Sequence, residues 1–264
     1  MEVLFLVLLF VLGSCFGSFL CCQARRLHLK TKKGSKALGS RSVCLHCHYQ
    51  LKWYDNIPII SWLFLKGKCR KCHKKIGLSE IFSELGLGLA WLAIGTTISI
   101  TNADPLTWTI FVVILLLTLP LTFLAIYDGL YGELPVRYLV LALIFATIVL
   151  SLKQTGILLA AGFNPEIILQ PLGAVSLLGG LYLILYLISK GKWVGDGDWL
   201  LATAIALALA SSWLALVTLF IANLLACLYA LPKYRRHPKI HLGPFLVIAF
   251  IIVLTFADFL QSMV

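Results

Sequence analysis

The chain has 264 residues, of which 60% are hydrophobic and only 12% are charged, whereas about 25% of the residues in a typical soluble domain are charged. A soluble protein of this length cannot bury so much apolar surface, and the composition therefore excludes that class. The formal net charge of +11 could indicate a nucleic-acid partner, but the distribution of the charge along the chain indicates a different origin.

Eight apolar segments follow one another along the chain. Runs of roughly 18 or more apolar residues are typical of transmembrane helices, because about 20 residues cross the hydrocarbon core of a bilayer. The segments lie at roughly 3–22, 80–100, 108–127, 136–152, 167–189, 198–211, 213–231 and 243–262. The sixth and seventh are separated only by the weak turn signal "LASSWLAL". Because no alternating strand pattern is visible, the sequence predicts a helical membrane protein and not a barrel.

The lysines and arginines predict the orientation of these helices. With the N-terminus outside, four segments face the cytoplasm: 23–79, 128–137, 190–197 and 232–242. They carry 21 of the 22 Lys and Arg residues, as the positive-inside rule requires, so the basic excess needs no nucleic acid. Positive charge follows the first apolar run instead of preceding it, which favours a retained helix over a signal peptide.

Two Cys-x2-Cys pairs lie in the polar segment at 23–79. Cys44 and Cys47 are separated by 21 residues from Cys69 and Cys72, a spacing that fits a four-thiolate zinc site. Such a site has no open position for water, so the zinc would be structural and would supply folding energy to a loop with little core of its own. A pair of disulfides is the alternative, which a reducing cytoplasm disfavours. Three nearby histidines are candidate substitute ligands: His46, His48 and His73.

Acidic residues cluster at the predicted cytoplasmic ends of the spans, where ionisable side chains are costly and usually functional. These acids are Glu80, Glu84, Asp128, Glu133, Asp196 and Asp198. Asp128 and Asp198 are predicted at one depth and can face one bundle interior. Two carboxylates that share a site hold one proton between them. One of them can then activate water while the other donates to a peptide carbonyl, as in aspartic proteases.

Glycines surround the second of these acids. Gly195 and Gly197 lack side chains and would let a peptide backbone approach closely. Asp196 is interpreted as a helix cap or a supporting acid. The alternative function is a proton- or ion-coupled membrane transporter, which would also use intramembrane carboxylates and broken helices. The alternative for Asp128 and Asp198 is that they are ordinary polar residues at the ends of helices, without a catalytic role.

Taken in order, the motifs resemble those of the type IV prepilin peptidases, the leader peptidases of type IV pilin-like proteins. The matching elements are "GSFL" at 17–20 with Arg25 or Arg26, the cysteine segment with "DNIPIISWLFLKGKCRKC", Asp128 followed by Leu134-Pro135, "GDGD" at 195–198 and "GPFL" at 243–246. The resemblance covers nearly the whole chain. It implies that the catalytic carboxylates are Asp128 and Asp198.

The resemblance also implies the activity. It implies an intramembrane aspartic endopeptidase of the bacterial inner membrane that cleaves the leader of prepilins or pseudopilins at the cytoplasmic face. It further implies N-methylation of the new N-terminus with S-adenosylmethionine. The expected partners are these substrates and membrane lipid, without nucleic acid.

The resulting fold prediction is an all-α polytopic membrane protein with about eight transmembrane helices and a small cytoplasmic zinc-binding loop domain. The predicted divisions are a first transmembrane helix at 1–22, a zinc-binding segment at 23–79 and a transmembrane aspartic peptidase core at 80–264. A prepilin leader is basic, and local acids at the substrate edge would offset its repulsion by the basic surface. The candidates there are Glu80, Glu84, Glu133 and Asp196, together with Gly195 and Gly197.

Overall fold

The structure is a computed structural model that describes residues 2–33, 42–44, 46–47, 49–98, 103–231 and 241–263. The candidate ligand His48 and most of the predicted cytoplasmic segment at 232–242 lie outside these ranges. The chain divides into two compact units, Met1–Thr96 and Thr97–Val264. Each unit is described by itself below.

The first unit is built on two long helices. Its elements are α1 (Glu2–Lys33), a 3₁₀ helix (Trp53–Asn56), α2 (Ile60–Phe64) and α3 (Leu78–Gly95). Helix α1 continues beyond the predicted end of the first span at residue 22, because no Gly or Pro interrupts the chain between Gly17 and Lys33 and the intervening residues include several strong helix formers.

Glycines allow α1 and α3 to pack backbone against backbone. A Cβ atom at Gly13 would lie 2.7 Å from the carbonyl oxygen of Leu87, and one at Gly17 would overlap the backbone of Ser83. Gly13 and Gly17 are four residues apart and therefore lie on one face of α1. Small residues in this spacing are typical of closely packed helices in membranes, and they fix the spacing of α1 and α3.

The second unit is a bundle of helices. Its elements are α4 (Pro105–Tyr131), α5 (Val136–Ala161), α6 (Glu166–Ala174), α7 (Leu181–Ser189), α8 (Asp198–Leu209), α9 (Ser212–Ala230), α10 (Gly243–Thr255) and α11 (Ala257–Gln261). A π-helical segment, Val175–Gly180, joins α6 to α7. No β-strand is formed in the ranges that the structure describes.

The predicted fold class is confirmed: the protein is a multi-pass, all-α membrane protein. Among the described residues, six helical segments are long and apolar enough to span a membrane, and two apolar helices, α8 and α10, are shorter. The apolar segments predicted at 198–211 and 243–262 therefore contain helices that are shorter than the usual length of a membrane span. Helix α8 has 12 residues and a length of about 18 Å, compared with about 30 Å of hydrocarbon.

Local backbone geometry ends these two short helices. Ala210 takes a left-handed conformation, with φ of 57°, and separates α8 from α9 at the predicted turn. Phe256 interrupts the last apolar segment between α10 and α11. Neither break involves a proline or a glycine, so the hydropathy pattern of the sequence does not reveal either of them.

A half-buried lysine stabilises the C-terminal end of α8. Lys153 of α5 donates from Nζ to the carbonyl oxygen of Ala208 at 2.8 Å. The last carbonyl groups of a helix lack intrahelical partners and carry partial negative charge, so a cation is favourable there. This contact accounts for the single cation that the sequence places outside the predicted cytoplasmic segments.

We expect Gly17→Ala to lower the free energy of unfolding of the detergent-solubilised protein by about 1–3 kcal/mol, because the added methyl group overpacks the interface between α1 and α3. Gly86→Ala is the matched control. Gly86 lies on α3, and no atom of the described residues lies within 4 Å of the place that a Cβ atom would take there. Its replacement by alanine should be neutral or stabilising by about 0.5–1 kcal/mol. Equal effects of the two substitutions would contradict the packing described here.

Candidate active site and metal centre

Asp128 is held by the start of a distant helix. It lies in the last turn of α4 and is only 5% exposed. The backbone N–H of Gly243 at the start of α10 donates to Asp128 Oδ2 at 3.0 Å, and Nδ1 of His241 lies 3.5 Å from Asp128 Oδ1. A Cβ atom at Gly243 would lie 2.7 Å from the same carboxylate oxygen, so this approach requires glycine.

Asp198 is the first residue of α8 and is 7% exposed. The backbone N–H of Gly195 donates to Asp198 Oδ2 at 2.9 Å. The neighbouring acid, Asp196, is exposed. Of the two roles predicted for Asp196, the helix cap is wrong, because the N-cap residue of α8 is Gly197 and no side chain of the described residues caps this helix end. Its role as a supporting acid stays a prediction. The turn before α8 therefore bends back so that its own backbone binds the carboxylate of Asp198.

The turns that carry the two aspartates pack on each other. Helix α4 ends at Gly132, which has φ of 69°, and the chain then passes through Glu133, Leu134 and Pro135 into α5. A Cβ atom at Gly197 would lie 2.7 Å from Cβ of Leu134. Gly197 thus gives room to Leu134 and not to a substrate, which corrects the interpretation of this glycine; the role of the exposed Gly195 toward a substrate stays a prediction.

Asp128 and Asp198 form one buried cluster where the ends of α4, α8 and α10 meet. They lie within electrostatic reach of each other, and Nδ1 of His241 contacts Oδ1 of Asp128 at 3.5 Å. The pairing of these two acids was expected from the sequence, but the contact with His241 was not. Its signal in the sequence is its position two residues before Gly243 of the "GPFL" motif. The exposed Glu133 follows Asp128 in the turn to α5.

Glu80 and Glu84 belong to the first unit, where each has a defined partner. Glu80 Oε1 lies 3.0 Å from Nη1 of Arg25. Glu84 is 7% exposed and accepts a hydrogen bond of 2.7 Å from the backbone N–H of Ile59, a residue with φ of 64°. Glu84 therefore holds the bend in "DNIPIISW" against α3. Their predicted role toward a leader peptide stays a prediction.

A cavity of about 400 Å³ lies in the first unit. Apolar side chains and convergent charged groups line it, a combination typical of small-molecule sites. The charged lining residues include Arg25, Arg26, Asp55, Arg70, Glu80 and Glu84. Trp62 also lines the cavity, and its buried indole N–H has no hydrogen-bond partner among the residues that the structure describes. An unpaired buried donor is costly, and an acceptor brought by a ligand would remove that cost.

The four predicted cysteine ligands converge in the same unit. The Sγ atoms of Cys44, Cys47, Cys69 and Cys72 all lie within 4.8 Å of one another. The Sγ distances are 3.9 Å for Cys44 to Cys72 and 3.9 Å for Cys47 to Cys69. Zinc–sulfur bonds of about 2.3 Å in a tetrahedron place the sulfurs about 3.8 Å apart, so the cluster fits zinc. All eight cysteines are free thiols, contrary to the disulfide alternative.

The backbone geometry of the two cysteine turns and the protonation of their thiols both favour a bound metal cation. Antiparallel bridges close the two turns, Val43 with Gln50 and Lys68 with Lys75. Backbone N–H groups, first that of Cys72, hold the pKa of Cys69 at about 7. The Tyr49 backbone favours the Cys47 thiolate, but burial and the three other thiols raise its pKa to about 11. Four thiolates thus need a cation to coexist.

The fold and these sites define a class: a multi-pass helical membrane protein with a buried aspartate pair and a separate four-cysteine metal centre. The family model described as Bacterial Peptidase A24 N-terminal domain matches residues 11–98. The prepilin leader peptidase/N-methyltransferase of Dichelobacter nodosus is 32% identical over 224 residues, which cover 83% of this chain and 72% of that protein.

Two further relatives carry the same name. The protein of Klebsiella pneumoniae is 30% identical over 199 residues, which cover 75% of this chain and 82% of the relative. That of Myxococcus xanthus is 42% identical over 90 residues, only 26% of its length. No solved structure matches. The chain belongs to the prepilin leader peptidase/N-methyltransferase family, and the resemblance found in the sequence is confirmed.

We expect the purified protein to contain about one zinc ion per chain and a Cys44→Ser, Cys69→Ser double variant to contain none, because two lost thiolates leave an incomplete tetrahedron. Elemental analysis measures the metal, and limited proteolysis should show a loosened loop in the variant. A Cys15→Ser, Cys227→Ser double variant is the control, since both residues are exposed on helices. Full zinc in the first variant would contradict the assignment.

Proposed function

We propose that this chain is an intramembrane aspartic endopeptidase that removes the leader from prepilin-like proteins. The observation that carries the proposal is the buried pair of Asp128 and Asp198, each carboxylate held by a backbone N–H from a glycine. The names of the relatives support a prepilin-like substrate. The same family name supports a second activity, N-methylation of the new N-terminus with S-adenosylmethionine as the donor.

The chemistry requires one proton shared by the pair. The ionised aspartate takes a proton from water as the water oxygen bonds to the scissile carbonyl carbon, while the protonated aspartate gives its proton to the carbonyl oxygen. When the tetrahedral intermediate collapses, the carbon–nitrogen bond breaks and the departing amine takes a proton from the first aspartate. The hydroxyl proton of the intermediate returns to the second aspartate, which restores the starting pair.

The proposed orientation places this chemistry at the cytoplasmic face of the inner membrane, with the N-terminus of the chain outside. The positive-inside distribution of Lys and Arg supports it. The apolar helix of a prepilin would lie in the membrane beside the enzyme, and its basic leader would remain in the cytoplasm. The scissile bond would then lie at the depth of the aspartate pair, near the helix ends that carry it.

We place the methyl donor in the cavity of the first unit. Its volume, about 400 Å³, lies within the range of about 300–1,000 Å³ for small-molecule sites. Guanidinium groups such as Arg26 suit the donor's carboxylate, and acids such as Glu84 suit its ammonium and sulfonium groups. Trp62 offers an aromatic face and an indole N–H that has no partner within the described part of the chain. When bound, the donor supplies the methyl group that the new N-terminal amine accepts. The cysteine centre would hold the wall formed by Cys44 and Cys69.

We expect Asp128→Asn and Asp198→Asn each to lower the rate of prepilin cleavage by about 10²–10⁴-fold, because neither amide can transfer the required proton. Asp196→Asn is the matched control within the same motif and should retain substantial activity, since this side chain is exposed. Steady-state cleavage of a synthetic prepilin by the full chain measures all three variants.

Two outcomes would overturn the assignment of the aspartates. An inactive Asp196→Asn together with an active Asp198→Asn would move the second carboxylate within "GDGD". Activity in all three variants would remove the aspartate mechanism. Ion flux through proteoliposomes would then test the transporter alternative.

We expect Trp62→Phe to weaken S-adenosylmethionine binding by about 2–10-fold, because it removes one hydrogen-bond donor worth about 0.5–1.5 kcal/mol while keeping an aromatic ring. Calorimetric titration of the zinc-loaded protein measures the affinity, and cleavage should be unchanged. Trp53→Phe is the control, since Trp53 is 78% exposed. A Trp62→Phe variant that gains stability without any loss of donor affinity would place the donor elsewhere.

The predicted substrate-edge acids are tested best at Glu133, which is exposed in the turn that follows Asp128. We expect Glu133→Gln to raise the KM for prepilin several-fold with little change in kcat, the pattern of lost ground-state binding. Kinetics with leader peptides of graded positive charge measure the effect, with Glu166→Gln as the control. If the KM values of Glu133→Gln and of the parent depend on leader charge in the same way, Glu133 does not contact the basic leader.

A further inference from the structure

The ring of His241 packs against two residues at the C-terminal end of α4, Asp128 and Gly132. Its Nδ1 atom is 3.5 Å from Asp128 Oδ1, and its side chain is 36% exposed. A Cβ atom at Gly132 would lie 2.6 Å from Cε1 of the ring, so only glycine at the end of α4 leaves space for the imidazole. The close fit gives the ring a fixed place beside one member of the aspartate pair.

The two aspartates have similar helix-end environments. Each accepts one backbone N–H at the start of a helix, Asp128 from Gly243 of α10 and Asp198 from Gly195 before α8. The positive ends of the two helix dipoles therefore favour an anion at both positions. Asp128 also lies in the last turn of α4, where the dipole is unfavourable, so backbone dipoles alone give Asp128 no advantage as the ionised member.

The side chains around the pair differ in charge. Among the described residues, Nδ1 of His241 lies at ion-pair distance from Asp128, while the exposed carboxylate of Asp196 lies two residues before Asp198. The buried phenol of Tyr182 on α7 is a further titratable group within electrostatic reach of Asp198. An opposite charge within about 4–6 Å favours the ionised form of a carboxyl group, and a like charge disfavours it.

We propose that His241 is a positioning residue that makes the aspartate pair unequal: when protonated, it holds Asp128 as the carboxylate and leaves the shared proton on Asp198. This inference rests on the proposed peptidase function. It assigns the roles that the pair alone leaves open. Asp128 takes the proton of the attacking water, and Asp198 gives its proton to the scissile carbonyl oxygen.

The same assignment fixes the second half of the reaction. As the carbon–nitrogen bond breaks, Asp128 gives the proton that it took from water to the leaving amine. Asp198 receives the hydroxyl proton of the intermediate. His241 neither gains nor loses a proton during the cycle, so its effect is electrostatic and should appear in the pH dependence of kcat/KM.

The test is the pH profile of kcat/KM for prepilin cleavage by the full chain. In His241→Gln the cation beside Asp128 is lost, so a higher pH is needed to ionise this base. The acidic limb should move to higher pH by about one unit. In His241→Arg the cation is permanent, so the acidic limb should stay at or below its parental position. Lys192→Gln removes an exposed cation from the loop before Gly195 and should leave the limb unmoved.

An acidic limb that stays in place or moves to lower pH in His241→Gln would overturn the proposal, even if the rate falls, because a merely structural role would lower the rate without moving the limb. If His241→Gln does not fold, His241→Arg decides: an acidic limb at higher pH than the parent overturns the proposal. Loss of cleavage in Asp128→Asn and Asp198→Asn with no shift in His241→Gln would overturn this inference and leave the peptidase assignment standing.

Discussion

A buried carboxylate needs hydrogen-bond donors that replace water. In the second unit, the helix ends supply such donors to two carboxylates. Asp128 and Asp198 are almost completely buried, and a backbone N–H from a neighbouring turn meets each of them. Backbone donors have no rotamer freedom to lose. They hold the two carboxylates in place without any side-chain rearrangement.

The positions of the glycines and the short helices follow from this constraint. A backbone can approach a carboxylate or a packed turn closely only where no Cβ intervenes, as at Gly243 against Asp128 and Gly197 against Leu134. Helices α8 and α10 both begin at the aspartate cluster. Lys153 stabilises the opposite end of α8, so the helix that carries Asp198 is held at both ends.

The first unit is stabilised by a different kind of contact, a cluster of cysteine thiols. Among the described residues of its segment between α1 and α3, Cys69 is the only buried hydrophobic side chain. Four cysteines hold this segment together through a site that fits zinc. The ion pair of Asp55 with Arg70, at 2.8 Å, joins the 3₁₀ helix to the second cysteine turn. These contacts form the wall of the cavity to which we assign the methyl donor.

The sequence predicted features that depend on composition and local spacing. The long apolar helices, the cysteine centre and the pairing of Asp128 with Asp198 were all visible in hydropathy, Cys-x2-Cys spacing and motif order. Contacts between distant segments were not visible, because they depend on how helices pack. The approach of His241 to Asp128, the seating of Gly17 on α3 and the shortness of α8 are of this kind. Ala210, which ends α8, is a strong helix former by propensity, so no local signal marks the break.

The proposed peptidase function is tested most directly by incubating the full, zinc-loaded chain in lipid vesicles with a synthetic prepilin and S-adenosylmethionine. Mass spectrometry then measures the masses of both products. We expect a free leader peptide and a shortened pilin that carries one added methyl group on its N-terminal amine. The Asp128→Asn, Asp198→Asn double variant should give neither product. An uncleaved prepilin with the parent chain, or a free leader with the double variant, would contradict the claim that this aspartate pair hydrolyses the leader bond.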